Sequence, residues 1–546
     1  MSDFYDLHRP LLDTAVNALA SRGYWTPFPE VPSGKIYGET AKADGDSAFE
    51  SLIGSAFDIP GHPGGKQMGA EVSPFGLVLE ILYPSASPDD LIAAATAAAP
   101  ALAAATPEVR VGACIEALVR LNRISFLIAN ATMHTTGQAF AMAFQAGGPH
   151  AQDRGLEAVA VAWVEMTRFA TRARWQKPQG KAAPLIIDKS WTLRPAGVAL
   201  TIGCNTFPTW NSYPGLFASL ATGNPVIVKP HPRAILPLAL TVRVLRQVLV
   251  DAGLPADAVL LAVDEPGAEI TKVLATRPEV RLIDYTGSPA FGNWLRDHAR
   301  QAQLFTEETG VNSVVIAATD DLDGMCANLA FALSLYSGQM CTSPQNIYIP
   351  AGGIDTDQGH KSFDQISDAL VAAVDSLLAD PARAAGICGA IANPATQNRI
   401  EAVAARGRIL RGGAADGLPG PLLLLPAPDS DVAEDECFGP VAFLIAAGDA
   451  DSAIAAAAGL ARDKGAITAA LYDTDAARIT RAEAAFVAAG VNLSINLTGN
   501  IFVNQSAAFS DFHVTGANPA GNASLTDTAF VASRFRRVMS RRPVAT

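Results

Sequence analysis

A regular alternation of short apolar runs with helical stretches between residues 195 and 306 constrains the fold of this chain most strongly. The apolar runs have the length of buried strands, and the stretches between them have the length of helices. Strands are predicted at Val198–Ile202, Val226–Val228, Val259–Ala262 and Leu282–Tyr285, and helices at 210–222, 235–252, 266–276 and 289–302. This alternation is typical of a doubly wound parallel sheet, so the predicted fold class is α/β.

The rest of the chain is expected to form further structural units, because 546 residues exceed one compact core. Residues 307–500 repeat the alternation less regularly and are predicted to form a second α/β unit. Helical periodicity dominates residues 87–173, whereas residues 1–85, with their proline and glycine clusters, are predicted to be irregular. Residues 174–194 are predicted to form two strands, and Ala529 to Val538 one more.

Composition and charge argue against several classes of protein. Forty basic residues against 53 acidic ones give a net charge of −13, which disfavours a nucleic-acid or acidic-membrane partner. The six cysteines show no CxxC pair and no metal-ligand spacing, so we expect no metal site and a reduced, cytoplasmic protein. The N-terminus lacks the order of a signal peptide, and the alanine-rich segment Leu91–Pro107 is predicted to be a packed helix, not a membrane span.

Cys341 is the candidate nucleophile. It lies in the segment Gly-Gln-Met-Cys-Thr at 338–342, between the amphipathic stretch Leu322–Tyr336 and a strand-like run. A thiol at such a junction, flanked by small residues, is accessible to a substrate. Cys114 and Cys326, in contrast, lie within apolar runs that are typical of inert packing.

Four segments in this order resemble motifs of the aldehyde dehydrogenase superfamily over about residues 90–500. They are Gly223–Pro230 (GNPVIVKP), Tyr285–Gly292 (YTGSPAFG), Gly338–Cys341 (GQMC) and Glu436–Val441 (ECFGPV). Two further segments resemble the branch of this superfamily that acts in phenylacetic acid degradation, namely Asn205–Asn211 (NTFPTWN) and Gly516–Asn522 (GANPAGN). The resemblance implies a Rossmann-type cofactor domain, a second α/β catalytic domain and a small β oligomerisation arm.

The resemblance also implies domain boundaries and partners. The NAD(P)-binding domain with its N-terminal extension is expected at 1–173 and 195–306, the catalytic domain at 307–500, and the oligomerisation arm at 174–194 and 525–546. We expect a homodimer or a dimer of dimers. The expected substrate is a small-molecule aldehyde, such as a semialdehyde or an aromatic or CoA-linked aldehyde of phenylacetate catabolism.

The family's chemistry assigns Cys341 as the nucleophile and a glutamate as the general base. The thiolate adds to the aldehyde, a hydride passes to a nicotinamide, and a carboxylate then activates water to hydrolyse the thioester. Glu307 and Glu308 are adjacent, which leaves the base ambiguous. The family places its glutamate five residues before a polar residue, here Asn312, and 34 before the cysteine; since 312 − 5 and 341 − 34 both give 307, we assign Glu307.

The oxyanion donor stays open between two neighbouring residues. The family uses an asparagine side chain together with a main-chain N–H beside the cysteine. Counting back from Lys229 by the family's spacing gives Thr206, while Asn205 lies one residue earlier. A one-residue shift in an extended segment reverses the side-chain direction. We assign Asn205, with the Thr206 hydroxyl or the backbone as the alternative.

The cofactor residues follow from the same motifs. Lys229 is expected to bind the adenosine ribose, and Gly287 with Ser288 to open a helix whose N–H groups face the pyrophosphate. Glu436 is expected to orient the nicotinamide ribose, with Phe438 packed beside it.

The expected cofactor is NADP or NAD. Family members that prefer NAD commonly carry a glutamate three residues after the lysine, where it repels a 2′-phosphate. Here that position is Pro232, flanked by His231 and Arg233, and a guanidinium suits a phosphate. The sequence therefore predicts that NADP is accepted at least as well as NAD.

Three other functions remain possible at this point. A CoA-acylating dehydrogenase would pass the thioester to a thiol, and the glutamate pair argues against it because that transfer needs no water-activating base. A catalytically silent binding protein is favoured only by the absence of asparagine at the expected oxyanion position. A thiol hydrolase would need no nicotinamide, so Lys229 and Glu436 argue against it.

Overall fold

The computed structural model describes residues 4–415, 418–428 and 430–544, and its first sheet confirms the α/β prediction. Five parallel strands lie in the spatial order Val259–Leu261, Val226–Lys229, Val198–Ile202, Val280–Thr286 and Gln303–Glu307. Alternate strand residues enter different clusters: Leu200 and Ile227 pack on one face, Ala199 and Val226 on the other. The sheet is therefore covered on both faces, as a doubly wound sheet requires.

The helices of this unit agree with the predicted alternation. They are Pro208–Ala221, Leu236–Asp251, Ile270–Ala275 and Pro289–His298. The predicted helical region before the sheet contains Pro88–Ala104, Pro107–Arg123, Ser125–Thr136, Phe140–Gly147 and Pro149–Thr167. The first of these helices begins where the Ser87 side chain accepts a hydrogen bond from the N–H of Asp90, an N-cap.

The prediction of an irregular N-terminus is wrong for a large part of residues 4–85. Helices span Phe4–Ser21, Gly34–Tyr37 and Ala41–Glu50, and strands Lys66–Met68 and Tyr83–Ser85 pair antiparallel. The first helix buries Leu12 and Ala15 against the rest of the protein despite an internal proline, so tertiary packing stabilises it. The buried Glu71 carboxylate accepts hydrogen bonds from the Tyr83 hydroxyl and from the N–H groups of Ile235 and Leu236, which fixes this N-terminal segment to the start of the helix Leu236–Asp251.

The second sheet contains seven strands. Their spatial order is Gly407–Arg411, Leu422–Pro426, Val441–Ala447, Asn346–Pro350, Ser313–Ile316, Thr468–Tyr472 and Asn492–Ile495. All neighbours are parallel except the first pair. The helices of this unit are Leu322–Ser334, Phe363–Leu378, Pro381–Ile387, Pro394–Ala404, Ala450–Lys464 and Ala476–Ala488. Small strands at Ala318–Thr319, Ile354–Thr356 and Gly359–Lys361 form a sheet of their own, and Ala414–Ala415 pairs with Leu418–Pro419.

A three-stranded antiparallel arm contains Arg172–Gln179, Ala182–Pro195 and Phe535–Pro543. The two strands predicted at 174–194 are confirmed. The strand predicted from Ala529 begins only at Phe535, because Asp527 caps a short helix, Thr528–Ala532, by accepting from the N–H of Phe530. The arm exposes Trp175, Leu185, Val538 and Met539. An oligomer built on this arm remains a prediction, as do the domain boundaries.

No single helix among the described residues is long and apolar enough to cross a membrane. The helices Pro88–Ala104 and Pro107–Arg123 pass the criterion only as a pair, bent by 118°. Leu91 and Ala95 of the first helix are buried inside the protein, in agreement with the packed helix predicted there.

Candidate active site

A cavity of about 520 Å³ lies at the carboxyl ends of the first sheet's strands, between that sheet and the second unit. Ligands bind at this edge of open α/β sheets. The cavity is lined by almost all of the predicted site residues: Cys341, Glu307, Asn205, Lys229, His231, Gly287, Ser288, Glu436 and Phe438. Arg233 is not among the described residues that line it. Its Nη1 donates at 3.1 Å to the carbonyl of Ala392, a residue that does line the cavity.

A tight turn after the helix Leu322–Ser334 presents Cys341 to the cavity. Tyr336, Ser337 and Gly338 have φ of 50°, 50° and 60°. This left-handed backbone conformation is unfavourable for residues other than glycine. The turn is held by hydrogen bonds, since the Tyr336 hydroxyl donates to the Thr136 carbonyl at 2.6 Å and the Ser337 hydroxyl to the Gly389 carbonyl at 2.8 Å.

Gly338 explains why two of the family-like segments occur together. A Cβ at this position would lie 2.4 Å from the carbonyl oxygen of Gly439, in the segment Glu436–Val441. The backbones at Gly338 and Gly439 are therefore in contact. This contact holds the segment Glu436–Val441 next to the turn that precedes Cys341, so Glu436 faces the same cavity.

A hydrogen-bonded group of three side chains, those of His513, Glu307 and Asn211, lies beside the Cys341 sulfur atom. His513 Nε2 lies 3.7 Å from Cys341 Sγ and 3.1 Å from Glu307 Oε1, and the Asn211 amide donates to Glu307 Oε2 at 3.0 Å. Burial, then the charge of Glu307 and its hydrogen bond, raise the pKa of the Cys341 thiol well above its usual value. Burial also raises the pKa of Glu307, but the charge and hydrogen bond of His513, with those from Cys341 and Asn211, outweigh it and lower the pKa overall. The resting pair is therefore a thiol beside a carboxylate.

The structure distinguishes the two adjacent glutamates by geometry. Glu307 ends the strand Gln303–Glu307 and points towards Cys341. The Glu308 carboxylate instead accepts two hydrogen bonds from Arg296, at 2.5 and 3.1 Å. Of the two glutamates, only Glu307 has its carboxylate beside the Cys341 sulfur. This is the glutamate that the spacing predicted.

Asn205 and Thr206 both line the cavity, but their side chains differ in hydrogen bonding. Both polar atoms of the Asn205 amide are buried without a partner among the described residues. A buried unpaired amide is costly unless a ligand satisfies it. The Thr206 hydroxyl is 4.0 Å from Cys204 Sγ. The unpaired amide favours the prediction of Asn205 as the oxyanion donor, which stays a prediction.

A buried carboxylate with no sequence motif lies beside Lys229, which lines the cavity. Asp264 Oδ1 lies 2.6 Å from Lys229 Nζ, and both side chains are almost fully buried. Burial lowers the pKa of Lys229, and Asp264 opposes that shift. Burial and the charges of Lys229 and Arg233 lower the pKa of His231 to about 4, so this imidazole is neutral at pH 7. That NADP is accepted at least as well as NAD therefore stays a prediction. A buried carboxylate lies beside Lys229, whereas the Arg233 guanidinium donates to the Ala392 carbonyl and has no acidic partner among the described residues.

The other cofactor-type residues lie on two walls of the cavity. A Cβ on Gly287 would lie 2.5 Å from the Tyr285 hydroxyl, so no larger residue fits there. Ser288 precedes the helix Pro289–His298, and its side chain makes no capping hydrogen bond, which leaves the first N–H groups available. Burial raises the pKa of Glu436 to about 7, despite a hydrogen bond from the Gly310 backbone and the nearby Arg399.

His513 and Asp264 carry no sequence motif, and Asn211 was recognised only as the last residue of the segment Asn205–Asn211. His513 lies 172 residues from Cys341, beyond the last family-like catalytic segment. Cys341 Sγ, His513 Nε2 and a Glu307 oxygen lie within 4.8 Å of one another. These are donors that zinc accepts, so a soft divalent ion bound there would block the nucleophile.

A half-buried thiol beside a buried carboxylate, facing cofactor-type groups at the carboxyl edge of a Rossmann-type sheet, is typical of thiol-dependent dehydrogenases. The chain belongs to the aldehyde dehydrogenase family, whose model matches residues 83–518.

Similar proteins agree with this placement. A crystal structure of an NAD-dependent aldehyde dehydrogenase from Burkholderia multivorans is 52% identical, with a TM-score of 0.97 over 100% of this chain and 99% of that one. A 1-pyrroline-5-carboxylate dehydrogenase of Bacillus subtilis is 27% identical over 59% of this chain and 62% of its own length. An N-succinylglutamate 5-semialdehyde dehydrogenase of Burkholderia mallei is 28% identical over 48% of this chain and 54% of its own. The chain thus spans less than two thirds of either curated relative.

Proposed function

We propose that this protein oxidises an aldehyde to the carboxylic acid with NAD or NADP, through a thioester on Cys341. The convergence of Cys341, Glu307 and the unpaired Asn205 amide in a cavity with cofactor-type walls carries the proposal. The 52% identical structure of an NAD-dependent aldehyde dehydrogenase supports the cofactor class.

The chain's own residues perform the reaction in two stages. Cys341 Sγ attacks the carbonyl carbon, and the Asn205 amide donates to the oxygen that becomes negative. A bound nicotinamide supplies the hydride acceptor, so that loss of hydride leaves a thioester on Cys341. Glu307 then removes a proton from water, and the hydroxide releases the acid and the thiol.

The opposite walls of the cavity fit a nicotinamide dinucleotide. Lys229 would bind the adenosine ribose. The N–H groups of Ala290 and Phe291, in the first helical turn after Ser288, would bind the pyrophosphate, since Pro289 has no N–H. Glu436 would accept hydrogen bonds from the nicotinamide ribose, with Phe438 packed beside it.

Hydrolysis is favoured over transfer of the acyl group to CoA. A carboxylate that contacts the sulfur serves to activate water, whereas transfer to a thiol needs no such base. With wild-type enzyme we expect free acid as the product, in the presence and absence of CoA, by mass spectrometry of the product mixture. A CoA thioester formed in preference to the acid would contradict this.

For the substrate, we propose a semialdehyde, or a CoA-linked or aromatic aldehyde, of phenylacetate catabolism. The segments Asn205–Asn211 and Gly516–Asn522 support the phenylacetate branch, and the Burkholderia mallei relative supports a semialdehyde. Reduced cofactor at 340 nm should form fastest with the CoA-linked semialdehyde in a panel that includes phenylacetaldehyde and glutamate semialdehyde. Equal rates across the panel would remove the substrate assignment and leave the reaction class intact.

Removal of the oxyanion donor is expected to lower kcat strongly. Asn205→Ala should reduce kcat about 10²–10³-fold, as is typical when one such donor is lost. The matched control is Thr206→Ala, which should stay within about threefold of wild type because its side chain is not the donor. Steady-state NADH formation measures both, and a larger loss in the threonine variant would transfer the role to Thr206.

The carboxylate at Lys229 is expected to determine cofactor choice. Asp264→Asn should shift the ratio of kcat/KM for NADP over NAD upwards by about tenfold, because it removes a charge that repels a 2′-phosphate. Arg233→Ala is the comparison: because its guanidinium binds Ala392, it should change both cofactors equally. A loss of NADP activity alone in Arg233→Ala, with no shift in Asp264→Asn, would restore the role that the sequence suggested for Arg233.

A further inference from the structure

His513 contacts the nucleophile and the general base with one and the same ring atom. Its Nε2 lies 3.7 Å from Cys341 Sγ and 3.1 Å from Glu307 Oε1, and its side chain is 2% exposed. A buried polar group in direct contact with two reacting groups has more than a packing role.

Its surroundings hold the ring in this position. The backbone of His513 exchanges two hydrogen bonds of 2.9 Å with Leu525, and the Trp210 ring packs edge-on at 4.6 Å and 82°. The next residue, Val514, has a φ of 59°, which a β-branched side chain rarely adopts. The strained backbone and the two hydrogen bonds together aim Nε2 at the catalytic pair.

The use of a single nitrogen excludes a relay of the serine protease kind. In such a triad the imidazole contacts the nucleophile with one nitrogen and the carboxylate with the other. Here Nε2 can carry one proton or none. Since the Glu307 carboxylate accepts only, Nε2 must carry the proton and donate it. His513 is therefore a donor placed between two atoms that become negative at different times.

We propose that His513 is a catalytic residue whose Nε2–H donates to whichever of Glu307 and Cys341 carries the negative charge. In the resting enzyme the N–H donates to the Glu307 carboxylate. When the thiol is activated, its S–H bond breaks and an O–H bond forms on Glu307, and the same N–H then donates to the thiolate. The N–H bond itself stays intact, so one proton moves from sulfur to oxygen and the charge balances. Glu307 releases this proton to solvent before the thioester is hydrolysed, so that its carboxylate is again free to accept a proton from water. The inference rests on the proposed function, because it assigns Cys341 and Glu307 the roles given above.

The test measures the reactivity of Cys341 towards iodoacetamide as a function of pH, by peptide mapping of ligand-free enzyme. His513→Phe keeps an aromatic ring against Trp210 but removes the N–H donor. If the phenyl ring does not fit, His513→Leu removes the same donor with a smaller side chain. His513→Gln retains an N–H. His360→Gln is the matched control, since His360 is exposed and pairs with Asp355.

We expect either donorless variant to alkylate about tenfold more slowly near neutral pH, with its midpoint about one unit higher, because the thiolate loses a hydrogen bond. His513→Gln should recover most of the rate, and His360→Gln should match wild type. The other groups that act on this pair are Glu436, Cys204 and the Asn211 amide, and all are unchanged in these variants. Arg154 stacks on Trp210, which packs against His513, and is also unchanged.

A donorless variant with the wild-type pH profile would overturn the proposal. The proposal would also be overturned if His513→Gln alkylated Cys341 as slowly as His513→Phe does. The packing of the ring alone would then explain the effect. Alkylation needs neither aldehyde nor cofactor. Failure of wild type to oxidise any aldehyde would therefore refute the proposed function while the alkylation profiles still decide the role of His513.

Discussion

Replacement of Cys341 by alanine is expected to lower kcat for aldehyde oxidation by about 10⁴-fold or more, as loss of a nucleophile typically does. Without the sulfur no thioester can form. No other thiol among the described residues contacts both Glu307 and His513. Cofactor binding should persist, because Lys229 and Ser288 lie on other walls of the cavity. NADH formation at 340 nm and cofactor titration by fluorescence measure the two properties separately.

Cys204 provides a demanding control for that result. Its thiol lines the same cavity, but it accepts a hydrogen bond from the N–H of Phe207, and burial raises its pKa to about 11. Cys204→Ala should keep kcat within about tenfold of wild type, since it removes packing and no reacting group. An inactive Cys204 variant beside an active Cys341→Ala enzyme would reverse the assignment of the nucleophile.

Glu307→Gln is expected to separate the two stages of the reaction. The amide cannot take a proton from water, so the thioester should accumulate and steady-state turnover should fall by about 10²–10⁴-fold. Rapid mixing should still show one equivalent of reduced cofactor per active site. The burst should be slower than in wild type, because Glu307 is also the acceptor of the thiol proton.

Glu308→Gln is the matched control for this variant. Its carboxylate pairs with Arg296 and does not reach the sulfur. We expect wild-type turnover with no stalled intermediate, although the lost ion pair will lower the thermal midpoint slightly. A stalled thioester in Glu308→Gln, with normal turnover in Glu307→Gln, would show that the base had been assigned to the wrong residue.

The fold was largely predictable wherever local pattern and burial agree. The four strands from Val198 to Tyr285 are short, mostly apolar runs, so the sequence alone located them. The fifth strand, Gln303–Glu307, has polar residues at both ends, and its last residue serves the active site. The helix Phe4–Ser21 depends on contacts with residues a hundred positions away, which no local window contains.

The active site was predictable to the extent that it is encoded in local motifs. Cys341, Glu307 and Glu436 occur in recognisable segments, and spacing selected the one of the two adjacent glutamates that the structure places beside the sulfur. His513 and Asp264 are brought in by tertiary structure, from segments with no catalytic signature. Asn205 needed the structure as well, because only its unpaired buried amide distinguishes it from Thr206.

The most direct test of the account is the mass of Glu307→Gln after mixing with aldehyde and cofactor. We expect the protein to gain the mass of one acyl group, located on Cys341 by peptide mapping, with one reduced cofactor formed for each adduct. Reduced cofactor without any adduct on Cys341, or an adduct on another cysteine, would contradict oxidation through a thioester at this residue.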